Sequence, residues 1–504
     1  MPPSMQEVTE QPLLPAANHN ELLPRVLRGA FWMLNSNLFG RVMALARGVI
    51  LARLLVPDDF GLFGLASVVI GFTAMFSDVG AGAFLVYSQD GVQDQVDTAF
   101  WANLGIATLL SASVCAAAPF VARFYHRNDL TPVLLVLAIS LWLQVATTVH
   151  RNLVRRVLRF RALAIVDALI ALCTFLAAVA LAWGGYGVWA FVLSGLAGNV
   201  ISAFLLFYVY AWVPRWRFSA ESLRALAPFS GWYVAQAIAW YLVLNIDNLM
   251  VGKFLGIAAL GVYGLAYNYS LLPVSLIGIA LGNVVYAELP RLYGDPPRFW
   301  SAFFLYSKLL ISLICPLSAA LVIAAPDIFP LLFGSKWNSA IVPFQILAVH
   351  GAIRSIWIDP FSALGKFRPS FWLGAATLCV SSLAIYLALP YGQAGVAVAV
   401  LIAVGAASIA NLLVASRSKA KCIQGLRNAA PYFATAAGAA VVALAARHVF
   451  ALAVSNRKLW LAAVSITVLL GIYGTVFQKE FRGYLDIFTG KQKVELVGND
   501  GLGS

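Results

Sequence analysis

Apolar residues run along this chain in long blocks, separated by short clusters of charged and turn-forming residues. The blocks fall at about 29–52, 60–87, 98–122, 130–149, 163–184 and 186–210, then at about 228–251, 257–287, 302–325, 340–361, 370–389 and 394–415, with two more near 430–450 and 459–477. About 20 apolar residues carry a helix across a hydrocarbon core about 30 Å thick. The pattern therefore predicts an all-α integral membrane protein of about 14 transmembrane helices. The expected organisation is a tail at 1–27, an N-lobe of six spans at 28–212, a C-lobe of six at 213–418, two further spans within 419–478, and a C-terminal tail at 479–504.

Composition closes alternatives. Of 504 residues, 61% are hydrophobic and only 11% charged, with a mean hydropathy of +0.84, which excludes a soluble fold. A net charge of +13 would suggest nucleic acid for a soluble protein, but here the Lys and Arg sit in connections between apolar blocks, so no nucleic-acid partner is expected. With the N-terminus inside, the cytoplasmic segments hold roughly 22 Lys and Arg and the outer ones roughly 6, the bias that sets membrane orientation. Arg151, Arg155, Arg156, Arg159 and Arg161 fall in one inner connection, and Arg417, Lys419, Lys421 and Arg427 in another. Both termini are thus expected in the cytoplasm. Two places break the rule: the inner stretch Gln89–Thr98 carries Asp90, Asp94 and Asp97 with no basic residue, and Arg123 and Arg127 fall outside.

Residues 1–23 lack a basic stretch feeding an apolar one and read as a cytosolic extension. The five cysteines, Cys115, Cys173, Cys315, Cys379 and Cys422, form no CxxC pair, and four lie inside apolar blocks. Neither a disulfide nor a metal site is inferred from them, and no cofactor is expected.

The chain also repeats. Residues 51–66 (Leu51-Ala52-Arg53-Leu54 through Gly64-Leu65-Ala66) align without a gap on 251–266 (Val251-Gly252-Lys253-Phe254 through Gly264-Leu265-Ala266), an offset of 253 − 53 = 200 residues. Each copy keeps a base near the end of one span and, opening the next, a Gly, an aromatic two residues on and then Gly-Leu-Ala, as in Gly261-Val262-Tyr263-Gly264-Leu265-Ala266. Six spans followed by six like spans make parallel repeats, because an even number returns the chain to the same side.

A charge at membrane depth costs about 2.5–3.5 kcal/mol or more unless it meets a partner or water, so intramembrane charges are the candidate functional residues. Arg41, Arg47, Asp78, Asp247 and Arg354 fall deep in their blocks, with Lys308 nearer an interface. At 100° per residue, Tyr233, Gln236, Trp240 and Asp247 share one helical face; their repeat counterparts are Met33, Ser36, Gly40 and Arg47. Arg47 and Asp247 are candidates for a pair across the repeat axis, the alternative being that Asp247 is neutralised inside its own lobe. His350, Arg354, Trp357 and Phe361 share a second face, a cation beside aromatic surface suited to phosphate and sugar, or a satisfied structural cluster. Arg41 points about 120° away from Arg47, toward a wide cavity or another helix of its own lobe.

Three stretches carry a family resemblance: Ala52-Arg53-Leu54-Leu55 with Pro57 and Asp59-Phe60-Gly61; Asn245-Ile246-Asp247 through Gly252-Lys253-Phe254-Leu255-Gly256 to Leu260-Gly261-Val262-Tyr263; and Leu331-Leu332-Phe333-Gly334 with Lys336-Trp337 and Gln345-Ile346-Leu347-Ala348. Across roughly residues 27–420 the chain resembles the Wzx-type polysaccharide repeat-unit flippases, of the superfamily that includes multidrug and lipid II flippases. The resemblance implies two six-helix bundles around a cavity in the bacterial inner membrane, and a transporter, not an enzyme. It implies as substrate an undecaprenyl-pyrophosphate-linked oligosaccharide for exopolysaccharide or O-antigen synthesis, with polysaccharide polymerase and export machinery as further partners. The cavity residues expected to meet it are Arg47, Arg354, Arg41, Gln236, Trp240, Asp247, His350 and Trp357. A coupling ion, proton or sodium, goes with alternating access, and nothing in the sequence identifies it.

Two rival classes remain. A multidrug antiporter of the same superfamily would want acidic cavity residues, and here arginine exceeds aspartate. A polytopic glycosyltransferase or polymerase would place acids in an outer loop. Asp58 and Asp59 do sit there, but Ala258 and Ala259 replace them in the repeat and they fit better as a helix start.

Overall fold

The computed structural model describes residues 19–75, 92–217, 231–278, 288–292, 294–354, 360–453, 458–480 and 482. Asp78, Asp90 and Trp357 lie outside them. The described chain is helical, as a membrane requires: backbone N–H and C=O groups in hydrocarbon must be paired within their own segment. In chain order the helices are α1 His19–Leu54, α2 Pro57–Ala74, α3 Val92–Phe124, α4 Leu130–Arg156, α5 Phe160–Trp183, α6 Trp189–Val209, α7 Gly231–Met250, α8 Ile257–Ser270, α9 Pro296–Phe333, α10 Ile341–Arg354, α11 Phe367–Ala388, α12 Gly392–Ser416, α13 Lys419–Ala453 and α14 Lys458–Val476. A single helical turn, Pro360–Ala363, precedes α11.

Among the described residues, eight helical runs are long and apolar enough to cross a membrane, or nine if Ile257–Ser270 and Leu272–Gly278, bent by 41°, count as one. Pro273 lies at the start of the second piece of that pair, where a missing N–H and a fixed φ favour a break. One of the eight, Phe367–Ser416, is 50 residues long and would extend about 75 Å as a straight helix. It is instead broken by the 3-10 turn Leu389–Tyr391 and by Gly392 at φ 67°, and its halves, α11 and α12, pack side by side.

Two connections predicted from charge are shorter than expected, reduced to residues 157–159 and 417–418. Helix α4 runs on to Arg156, so that Arg155 and Arg156 occupy its last turn, where cations suit the helix dipole. Helix α13 already starts at Lys419 and includes Lys421 and Arg427. Lysine and arginine are good helix formers whose stems cover apolar surface while their heads stay wet, so helices continue past the apolar blocks.

The chain divides into two compact units, Met1–Ser230 and Gly231–Ser504. Within the first, α1 packs on α5, α2 on α4, α3 on α4, α4 on α6, and α5 on α6; within the second, α7 packs on α11, α8 on α10, α9 on α10, α10 on α12, and α11 on α12. The five pairings are the same when α1–α6 are set against α7–α12. The helix starts Pro57 and Ile257 keep the 200-residue offset. Equivalent contacts use different chemistry. Where α2 begins, Asp59 accepts a bond from the Val56 amide (3.2 Å) and lies against Gly187 in the α5–α6 turn; where α8 begins, Gln393 of the α11–α12 turn donates to the Ala259 carbonyl (3.1 Å). Asp58 and Asp59 thus serve a helix start and its surroundings.

Helices α13 and α14 pack on α9, a 38-residue helix carrying Pro316, Pro326 and Pro330. Tyr432, Tyr473 and Phe477 join Ile311 and Cys315 in a buried apolar cluster. Polar ties accompany it: Lys308 Nζ to Glu480 at 3.1 Å, the Tyr432 hydroxyl donating to Glu480, and Arg447 Nη2 donating to Asp327 Oδ1 at 3.0 Å. The hydropathy pattern did not single out Asp327 or Arg447, although Asp327 is buried.

Removing one partner of a buried pair leaves an uncompensated charge, at about 3–5 kcal/mol. We therefore expect Arg447→Leu to destabilise the second unit by about 3 kcal/mol, and the double variant Arg447→Leu/Asp327→Leu to recover at least half of that, read by unfolding in detergent.

Outside the spans, Arg127 donates to both oxygens of Asp58 (2.7 and 2.6 Å) and to both of Asp129 (3.0 and 2.6 Å), joining the α3–α4 turn to the start of α2. The hydrogen bond from Arg127 holds the Asp129 carboxyl below its ordinary value. A depressed carboxylate contributes stability at neutral pH that is lost as pH falls through its folded value. Arg127→Gln should lose no more than about 1 kcal/mol at pH 7, because Asp58 and Asp129 are partly exposed. The gap to the parent protein should close as both are acidified below about pH 4, measured by melting temperature against pH.

Candidate functional site

Helices α7, α8 and α10 of the second unit bring together the polar residues of its interior. Asp247 on α7 is 2% exposed. It accepts a bond from the Tyr263 hydroxyl on α8 at 2.8 Å and one from the Asn248 amide at 2.8 Å. One turn beyond Tyr263, Tyr267 is hydrogen-bonded to Arg354, whose guanidinium is close enough to act electrostatically on Asp247 and His350. Tyr263 and Tyr267 lie four residues apart on α8, as do His350 and Arg354 on α10, so each pair shares a helix face. Gly351 lies between the last two. A Cβ there would come within 2.9 Å of Leu271 and 3.2 Å of Val274, so its missing side chain is what lets α10 approach the end of α8 and the piece Leu272–Gly278 that follows it.

The arrangement is graded in exposure. Asp247, Tyr263 and His350 are buried, whereas Arg354 is only half-buried. The guanidinium can present donors outward while Tyr267 and the carboxylate behind it hold its position. A half-buried cation braced from within the protein suits an anionic group entering from outside. Within its own unit Asp247 is held by the two hydrogen bonds from Tyr263 and the Asn248 amide. The Nδ1 atom of His350 is buried and, among the described residues, has no hydrogen-bond partner.

The other expected residues are placed as follows. Gln236 Nε2 donates to Ser362 Oγ at 2.9 Å and Trp240 Nε1 to Ser370 Oγ at 3.1 Å, both ties running from α7 toward α11. Trp240 also packs by Gly374 of α11. The repeat counterpart of Gln236, Ser36, donates to the Ala164 carbonyl of α5 at 2.9 Å, so this face of α1 and α7 holds a lobe together in both copies. Arg41 and Arg47 are half-buried on α1. The repeat counterparts of Tyr263 and Tyr267 are Phe63 and Ser67, and Phe63 stacks on Phe191 with ring centroids 4.6 Å apart. The tyrosine pair was missed because a tyrosine in an apolar block resembles packing; the four-residue spacing was its available signal.

Residues 50–342 match a family described as polysaccharide biosynthesis protein. The succinoglycan biosynthesis transport protein ExoT of Rhizobium meliloti is 26% identical over 326 residues, 64% of this chain and 66% of that relative. The lipopolysaccharide biosynthesis protein WzxC of Escherichia coli is 22% identical over 341 residues, 66% of this chain and 68% of that relative. In structure, the lipid II flippase MurJ, in an inward closed conformation, is similar with a TM-score of 0.65 at 14% identity, covering 89% of this chain and 99% of MurJ. That likeness concerns the fold. The family match covers well over half of the chain and takes in the repeat junctions at Pro57 and Ile257, together with Asp247 and the tyrosine pair: this protein belongs to the polysaccharide biosynthesis protein family.

Proposed function

We propose that this protein is a flippase that moves undecaprenyl-pyrophosphate-linked oligosaccharide repeat units from the cytoplasmic to the periplasmic leaflet of the bacterial inner membrane by alternating access. The observation that carries the reading is the half-buried Arg354, braced by Tyr267 and backed by the Asp247 carboxylate, inside a unit whose helices α7–α12 repeat the packing of α1–α6. A diphosphate crossing a low-dielectric region needs cations along its way, because unscreened charge there is costly. Arg354 supplies one, and Arg47 and Arg41 on α1 are the candidates in the first unit. The polyprenyl tail stays in lipid while the sugars pass.

The likeness to ExoT, a succinoglycan biosynthesis transport protein, and to WzxC, a lipopolysaccharide biosynthesis protein, with the MurJ-like fold, supports a lipid-linked saccharide as cargo and a transporter over an enzyme. The acids of the first outer turn are engaged by Arg127 and by the start of α2, which further weakens a glycosyltransferase reading. In this reading both termini are cytoplasmic, and a polymerase and export machinery take over the product on the periplasmic side.

The test is deletion of the gene in its host. Complete repeat units should accumulate on the cytoplasmic face while surface polysaccharide disappears; incomplete units, or normal polysaccharide with new sensitivity to cationic drugs, would overturn the proposal. On complementation, correctly inserted Arg354→Ala should lower flux about tenfold to a hundredfold, the worth of a charge-assisted hydrogen bond, with Arg354→Lys retaining part of it. Tyr267→Phe keeps the ring and loses only the acceptor for Arg354, so its loss should stay below about tenfold.

A further inference from the structure

The covalent link between the two units leaves the first through an extended stretch, residues 210–217, and this stretch is fastened to α3 and α4. Trp212 is 8% exposed and lies in a cluster with Val96, Ala99, Val149 and Leu153. The amide of Arg215 donates to Asp97 Oδ1 at 3.0 Å, and the carbonyl of the same residue accepts from Trp101 Nε1 at 2.8 Å. Both backbone groups of one residue are therefore held by side chains of α3. The indole of Trp216 stacks on that of Trp101, ring centroids 4.1 Å apart and 22° from parallel. From α4, the ring of His150 lies between its own helix and the link, with Nδ1 2.8 Å from the Ala146 carbonyl and Nε2 3.1 Å from the Trp212 carbonyl, so that a neutral ring donates to one of the two.

Asp97 is fully buried, and it is one of the three acids that made the stretch Gln89–Thr98 an exception to the charge bias. A carboxylate is a costly way to fill space in a lobe interior, so its placement against a backbone amide outside any helix needs a reason. Extended backbone has no internal partners, and a carboxylate and an indole N–H supply them here.

We propose that Asp97, Trp101 and His150 form a permanent clamp that makes residues 210–217 part of the rigid body of the first unit, and that the clamp stays closed while the two units move during transport. The functional half of this inference rests on the alternating-access reading above; the structural half does not.

The structural half is tested by limited trypsin digestion of the purified full-length protein, following cleavage after Arg215 by mass spectrometry. Release of the segment should expose this bond, so Trp101→Phe, which keeps the stack and loses the N–H, and Asp97→Leu should be cut about tenfold faster or more than the parent, the loss of a hydrogen bond to a buried group raising the open population by that order. Equal rates in the parent protein and in Trp101→Phe would overturn the clamp.

The functional half uses Trp101→Cys/Trp216→Cys in a background without the five native cysteines, bridged by a short bis-maleimide. Bridged protein should transport at least as well as the unbridged variant, since the link replaces the lost stack. A tenfold loss on bridging would show that the segment must leave α3 during the cycle, and would overturn permanence. Should the parent itself move no lipid-linked saccharide, the flippase reading fails while the digestion still decides the clamp.

Discussion

The cost of leaving a charge or a backbone polar group unpaired at membrane depth governs this structure. Backbone groups are satisfied by helix formation, and several charged side chains in and beside the helices find partners close by. Arg151 reaches Asp167 at 2.5 Å, Arg447 reaches Asp327, Lys308 reaches Glu480, and Asp247 is held by Tyr263. Each of these ties joins different helices, so the same energetics that penalise an isolated charge also fix which helices sit together.

Arg354 is half-buried, as Arg151, Lys308 and Arg447 are, but its hydrogen-bond partner Tyr267 is a neutral phenol and not a carboxylate. Its brace is internal, through Tyr267 and Asp247, but the guanidinium itself is only half-buried. The two copies of the repeat share their helix pairings and differ in what they place at equivalent points: Arg47 against Asp247, Phe63 against Tyr263, Ser67 against Tyr267. Packing positions such as Ser36 and Gln236 kept an equivalent duty. Divergence at polar positions on a shared packing plan gives each unit its own electrostatic character.

Two of the exceptions to the charge bias, Arg127 and Asp97, have a local explanation. Arg127 is engaged by Asp58 and Asp129, so its presence on the expected outer side tells little about orientation. Asp97 is turned inward onto the Arg215 amide. Loop charges report topology only when they are solvated, and a charge committed to a partner drops out of the count.

What the sequence by itself determined are properties that depend on local order along the chain. Helical class, the run of apolar blocks, the breaks at Pro57 and Gly256, and the 200-residue repeat follow from residue type and spacing, because helix formation in lipid is satisfied within each segment. The face shared by His350 and Arg354 was equally legible, since 100° per residue is a local rule. The tertiary structure alone decided who answers whom: that Tyr263 and Tyr267 reach from α8 to Asp247 and Arg354, that Gln236 and Trp240 turn toward α11, and that Asp327 meets Arg447 across 120 residues of chain. A tyrosine or an aspartate in an apolar block carries no mark of its partner, because the partner is chosen by which helices pack, and packing is set by shape over many residues rather than by any one of them.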